Sequence, residues 1–176
     1  MAKKAAEVFD QLQQKLAQKL RELPPIIGEE AVNHSLEAFE KEAWDNEVWP
    51  KRKNPTAWGK PDETDRALLV GKQSGKLKKS VRVLRVEDNK VTITAGGADI
   101  PYARAHNFGF RGSVTQNVNE HIRRTKKMRN IRVSAFTRTI NQNIPQRRFI
   151  GGESDSPILK ARIRNVCIEE LKKIFL

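Results

Sequence analysis

Chemistry in a protein needs reactive side chains held close together, and this chain has few candidates. Of its 176 residues three are histidines, His34, His106 and His121, and one is a cysteine, Cys167. Metal sites use His, Cys, Asp and Glu at characteristic spacings. None of the histidines has a second histidine or a cysteine three or four residues away. A Cys–His nucleophile pair would need Cys167, but helical periodicity places that residue on an inward apolar face. His106 has no acid within ten residues except Asp99, and His121 has Glu120 beside it, where adjacent residues of a strand point to opposite faces. No serine sits in a nucleophile elbow. The stretch L-L-V-G-K-Q-S-G-K-L-K-K-S, residues 68–80, carries Gly71 and Gly75 among lysines but lacks the spacing of a phosphate loop. These residues predict no catalytic, cofactor-binding or metal site. His34 is expected to be a structural or solvent-edge residue.

The densest cluster of unusual side chains is Y-A-R-A-H-N-F-G-F, Tyr102–Phe110, which holds the only tyrosine, one histidine and two of the seven phenylalanines. Amphipathic rings bury an apolar body and leave one polar tip for a hydrogen bond. The stretch is therefore expected to pack a connector onto a core or onto a second subunit, with His106 as a packing and hydrogen-bonding residue.

The elements that must position these residues follow from periodicity. Phe9, Leu12, Leu16, Leu20 and Leu23 predict an amphipathic helix over residues 3–23, ended by Pro24-Pro25. A second helix is expected over about 29–46, with Val32, Leu36, Phe39 and Ala43 on one face. Residues 47–68 read as irregular, with Trp49 and Trp58 as loop anchors and Pro50, Pro55, Gly59 and Pro61 as punctuation. A short helical turn with Leu77 buried leads into a hairpin of residues 80–86 and 90–95. Its turn, Glu87-Asp88-Asn89, is expected to use positive φ. Gly109 closes a helical turn over 102–108.

Residues 111–143 carry eight Lys or Arg and one acid, Glu120. Val114, Val118 and Ile122, then Ile131, Val133, Ala135 and Thr137, alternate with polar residues. This predicts two strands joined at a basic tip of Arg123, Arg124, Lys126, Lys127 and Arg129, with Arg132 beyond it. Such a ribbon is not stable alone and must lie on a neighbour or a partner. A final helix from Pro157 to about Ile174 is capped by Ser156 and buries Leu159, Ile163, Val166, Cys167, Leu171 and Ile174. The expected class is α+β: a small antiparallel sheet packed with N- and C-terminal amphipathic helices, plus a projecting β-hairpin arm. The chain reads as a single domain over 1–176, in segments 1–46, 47–68, 69–110, 111–143 and 144–176.

The charge is lopsided, with 34 Lys and Arg against 21 Asp and Glu, a net charge of +13. A surface this basic attracts polyanions at low salt without specificity. No stretch approaches the roughly 20 apolar residues of a membrane span. The opening M-A-K-K-A-A-E-V-F-D lacks the apolar run of a secretory signal, so folding in a reducing cytoplasm is expected.

Three segments, in order, resemble a known family. S-G-K-L-K-K-S (74–80) is similar to an entry of the form T-G-x-L-x-x-S. Y-A-R-A-H-N-F-G (102–109) is similar to Y-A-x-x-H-x-x-G. I-P-Q-R-R-F-I-G (144–151) is similar to I-P-x-R-x-F-L-G ahead of a last amphipathic helix. This order resembles the Mu-like virion-morphogenesis and tail-completion proteins of tailed phages, including neck and head–tail joining proteins. Ser74 stands where threonine is usual and Ile150 where leucine is usual. The resemblance implies a non-enzymatic subunit without cofactors that completes the tail or joins head to tail. It implies a homo-oligomeric ring, a hexamer among the candidates, meeting tail-tube or head-connector proteins. The protein would act in the bacterial host cytoplasm during assembly and at the virion neck or tail end. By residue, it implies that Gly75, Leu77 and Ser80 shape the strand entry. Tyr102, Ala103, His106 and Gly109 form the helical turn. Pro145, Arg147, Phe149 and Gly151 anchor the connector. The basic tip is left with two readings, non-specific contact with DNA or contact with an acidic subunit. A nucleic-acid-binding module using the 111–143 ribbon is the alternative function.

Overall fold

The computed structural model describes residues 2–52, 67–70, 75–124 and 129–175. The anchors Trp58, Pro55, Gly59 and Pro61, together with Gly71, Ser74, Lys126 and Lys127, lie outside the described residues.

A single helix, α1, runs from Ala2 to Lys41 with Pro24 and Pro25 inside it. The expected break at the proline pair does not occur. Proline removes two backbone donors and strains the preceding turn, but its fixed φ is already helical. Tertiary packing supplies the rest. Leu23, Pro24, Gly28 and Ala31 are buried, and the second half of α1 packs on α4 and on the β3–β4 hairpin, whose spans follow below. The hairpin comes closest at Gly28, where a Cβ would stand 3.0 Å from Val83 Cγ2 and 3.1 Å from Val91 Cγ1.

Past Lys41 the predicted second helix gives way to a miniature hairpin, β1 (Ala43–Trp44) and β2 (Glu47–Val48). Its two-residue turn, Asp45-Asn46, has φ of 48° and 71°, the mirror-image geometry that strand twist favours. Next come α2 (Lys76–Lys79) and the antiparallel hairpin of β3 (Arg82–Glu87) with β4 (Lys90–Thr94). That hairpin was legible in the sequence, but Asp88 and Asn89 are not among the positive-φ residues. The short helix α3 (Ala103–Phe108) ends at Gly109, φ 74°.

Strands β5 (Phe110–Val118) and β8 (Phe136–Ile144) form the root of the arm, and β6 (His121–Arg124) and β7 (Asn130–Val133) continue it outward. Both pairs are antiparallel, in the register Val114↔Ile140 and Ile122↔Arg132. The chain closes with α4 (Pro157–Lys172). The class is α+β, but among the described residues the strands form four separate two-stranded pairs rather than one small sheet.

The core gathers Phe39, Trp44, Trp49, Leu77, Ala103 and Phe149 around the end of α1. A second cluster, Ala31, Leu159 and Ile163, joins α1 to α4. Arg162 of α4 reinforces it with two hydrogen bonds to Glu37, at 2.7 and 2.9 Å, which hold the Glu37 carboxyl down at about 2. Val166, Cys167, Leu171 and Ile174, expected to be buried, are only half-buried.

Candidate functional site

The residues singled out by sequence fall into a packed centre and an extended arm. At the centre, Ser80 caps the strand entry. Its hydroxyl donates to Leu77 O at 2.6 Å and accepts from Gly96 N at 2.8 Å. Gly75 starts α2 at φ 53°, and Leu77 is 1% exposed. Gly96 has φ 97°, and a Cβ there would meet Ala103 Cβ at 2.7 Å. Ala103 therefore presses directly on the turn that Ser80 holds.

The connector at 145–151 closes over α3. Phe149 is buried against Phe39, with ring centroids 5.1 Å apart, and Phe39 meets Trp49 edge-on at 5.6 Å. Arg147 is buried and donates to Pro50 O at 2.9 Å and Lys51 O at 3.3 Å. It pins the segment after β2 through carbonyls, and among the described residues no carboxylate is paired to it. Burial presses its pKa down, with Arg52 adding to that, though a guanidinium keeps its proton near neutral pH. A Cβ at Gly151 would approach Trp44 Cζ2 at 3.1 Å. Pro145 is half-buried.

Sequence reasoning missed one side chain in Tyr102–Phe110. The residue that locks this stretch is Asn107, 2% exposed. Its Oδ1 accepts from Phe149 N at 2.9 Å and Ile150 N at 3.1 Å, and its Nδ2 donates to Ile150 O at 3.0 Å. Its own carbonyl accepts from Gln146 Nε2 at 3.1 Å. One amide thus imitates a strand partner for the connector. The rings of Tyr102, Phe108 and Phe110 are not what packs this stretch onto the chain's own core; the other expected setting for them, a second subunit, lies outside a single chain. Tyr102, Phe108 and Phe110 are 43%, 64% and 37% exposed, because a six-residue helix turns only one narrow face, Ala103 and Asn107, to the core. His106 is half-buried and packs edge-on to Tyr102 at 5.9 Å. Its Nδ1 is buried without a partner. Burial, seconded by Arg147, lowers its pKa.

His34 belongs to a constellation that adjacency in sequence could not reveal. Its Nε2 lies 3.0 Å from Asp45 Oδ1 and 3.2 Å from Ser156 Oγ. Ser156 donates to the same Asp45 oxygen at 2.7 Å and accepts from Leu159 N at 2.9 Å. Serine, histidine and aspartate meet, but the arrangement differs from a nucleophilic triad. In a triad the histidine bridges the other two through opposite ring nitrogens. Here Asp45 and Ser156 crowd one nitrogen, and Ser156 is fully buried and serves as the α4 cap. The cluster ties α1, the β1–β2 turn and α4 together. Burial outweighs Asp45 and lowers the His34 pKa. Among the described residues no group of three His, Cys, Asp or Glu could hold a metal.

On the arm, Arg123 and Arg124 lie in β6, Arg132 lies in β7, and Arg129 lies just before β7. Arg132 donates to Glu120 at 2.7 Å. The two sets of predicted residues do not form one site: the family-motif residues lie in the body, and Arg123, Arg124, Arg129 and Arg132 stand on the outer part of the ribbon. None of the described helices is long and apolar enough to cross a membrane.

A family model described as the phage virion morphogenesis family matches residues 2–172. No curated protein and no solved structure matches the chain.

Proposed function

The chain belongs to the phage virion morphogenesis family, a phage structural and assembly family, and from that premise we propose that it completes the tail or joins head to tail as a homo-oligomeric ring. It transforms no substrate. Its partners are copies of itself and tail-tube or head-connector proteins, met in the host cytoplasm and retained at the neck or tail end of the virion.

The supporting observation is where apolar surface is left over. In the N-terminal half of α1, Val8, Phe9, Leu16 and Leu20 are 62%, 65%, 41% and 51% exposed. On the arm, Ile122, Ile131 and Phe136 are 71%, 51% and 44% exposed. Solitary exposed apolar residues are ordinary, but grouped ones on projecting elements mark surfaces that another protein covers. The interior is the opposite: the polar groups of Ser80, Asn107 and Ser156 are spent on internal bonds. Such a molecule has a stiff body and sticky extensions, as an assembly subunit needs.

The cationic ribbon end favours one further contact, with the DNA that passes a head–tail joint, by phosphate attraction without sequence reading. The test is deletion of residues 112–142. Light scattering across protein concentrations should show the oligomer lost, and particles assembled with the truncated chain should carry unjoined or irregular tails. An intact oligomer accompanied by loss of tight DNA binding would instead identify a nucleic-acid module.

A further inference from the structure

We propose that one face of the arm root, strands β5 and β8, seats in an apolar trough on the body of a second copy of this chain. The inference rests on the ring reading and names the contact that closes the ring.

The register divides the root into two unlike faces. Paired residues share a face and successive residues alternate. The pairs Phe110↔Ile144, Val114↔Ile140 and Val118↔Phe136 therefore lie on one side. Between them on that side stand Gly112↔Gln142 and Gln116↔Arg138. Gly112 has a purpose: a Cβ there would be 3.2 Å from Phe110 Cζ, so its absence lets the ring lie flat along the face. The other side presents hydroxyl and amide groups, such as Ser113, Thr115, Asn117, Thr137 and Thr139. The ribbon's extensive contacts are between its own strands. On the apolar face Phe110 and Phe136 are exposed and Val114, Val118, Ile140 and Ile144 are half-buried, and a two-stranded ribbon of this kind is marginal in water.

The body offers a matching concavity. Two grooves of about 540 and 430 Å³ share the walls Val91, Ile93, Gly151 and Gly152. Together they run from Leu20 on α1 to Phe108 at the end of α3. Lys90 stands in the shared wall, Asp88 and Glu153 line the α1 end, and Arg104 lines the α3 end.

Charge selects the occupant. The root carries only Arg111 and Arg138, while residues 119–135 carry six Lys or Arg against one Glu. DNA therefore suits the outer ribbon, and a neutral apolar face suits protein. Two roots stacked face to face would offer Arg138, at the Gln116 rung, no acidic partner, because the root carries no Asp or Glu. A root in the trough sets Arg138 within reach of the Asp88 and Glu153 rim. Donor and acceptor surfaces are thus different, which generates a ring rather than a two-fold dimer. Nine rungs make a face of roughly 30 by 10 Å, or about 300 Å². This is well short of the ~800 Å² per partner of a stable interface. A single contact is weak, and closure of the ring supplies the rest by effective concentration.

The test uses the full-length chain with Cys167→Ser. A tagged Phe136→Cys protein is mixed with an untagged Leu20→Cys protein, Leu20 lying at the α1 end beside the Asp88 and Glu153 rim, and treated with a short bismaleimide. We expect a mixed cross-linked dimer, lost when Val114→Lys and Ile140→Lys are added to the tagged chain. By scattering, the same pair of lysines should weaken self-association at least tenfold with the melting temperature unchanged. Self-association that ignores the lysines overturns the proposal and leaves the ring reading standing. So does cross-linking of Phe136 only to Phe136, or loss of DNA binding alone. A wild-type chain that does not associate at any concentration, with cysteine variants that do not cross-link, removes both readings.

Discussion

Asn107 shows what one side chain does in this molecule. It holds two backbone N–H groups and one carbonyl of the connector that carries Phe149. Removing it strands donors in a buried place, which costs more than an ordinary hydrogen bond contributes. Asn107→Ala should destabilise the fold by about 3 kcal/mol, read as the shift in urea midpoint multiplied by an unchanged m-value. An effect as small as that of a surface substitution would remove Asn107 from its place as the lock. His34 and the half-buried His106 give the residue-scale pH dependence. Burial is the largest influence on His34 and His106, and both pKa values are lowered from 6.5. The unfolded chain thus takes up protons first as pH falls below about 6.5, and each proton it binds favours unfolding. Stability should be greatest above that pH and decline on the acid side, before Glu37 begins to titrate. Urea midpoints at pH 7.5 and 5.5 check the sign, and His106→Gln should flatten part of the slope.

At the scale of elements, the proline pair and the arm teach opposite lessons. Pro24-Pro25 is a strong stop signal, and local propensity alone ends the helix there. What overrides it is burial of Leu23, Pro24 and Ala31 beneath α4 and the hairpin, a long-range effect that no local window contains. Pro25 is exposed and serves no packing purpose. Pro25→Ala should restore an intrahelical bond and stabilise the protein by about 1–3 kcal/mol, visible in thermal unfolding. Equal or lower stability would mean that the helix depends on the proline. The arm, by contrast, was legible as two strands, yet its faces were not. The sequence reading grouped Ala135 and Thr137 with the apolar positions. The register puts Phe136, Ile140 and Ile144 opposite Val118, Val114 and Phe110. Their spacing of four residues was present in the sequence and fits a strand face as well as a helix, so only the pairing decides between them.

For the molecule as a whole, charge and surface act at different places. The net charge of +13 should give measurable duplex binding at low salt, with four to six phosphate contacts producing a log–log salt slope of about −4 to −5. Arg123→Gln with Arg124→Gln should make that slope shallower by about 2 in fluorescence anisotropy, at constant self-association. An unchanged slope would move DNA contact away from the ribbon end. The residue types and periodicities by themselves determined the α+β class, the hairpin within 80–95, the Ser156 cap, the buried Leu77 and the basic character of the arm. These depend on neighbours within a few residues, where backbone preference and alternation are sufficient. Tertiary structure alone decided that α1 passes through its prolines, that His34, Asp45 and Ser156 meet, and that Asn107 rather than His106 bears the connector. In each case the partners are distant in the chain, and which donor finds which acceptor follows from how the elements pack.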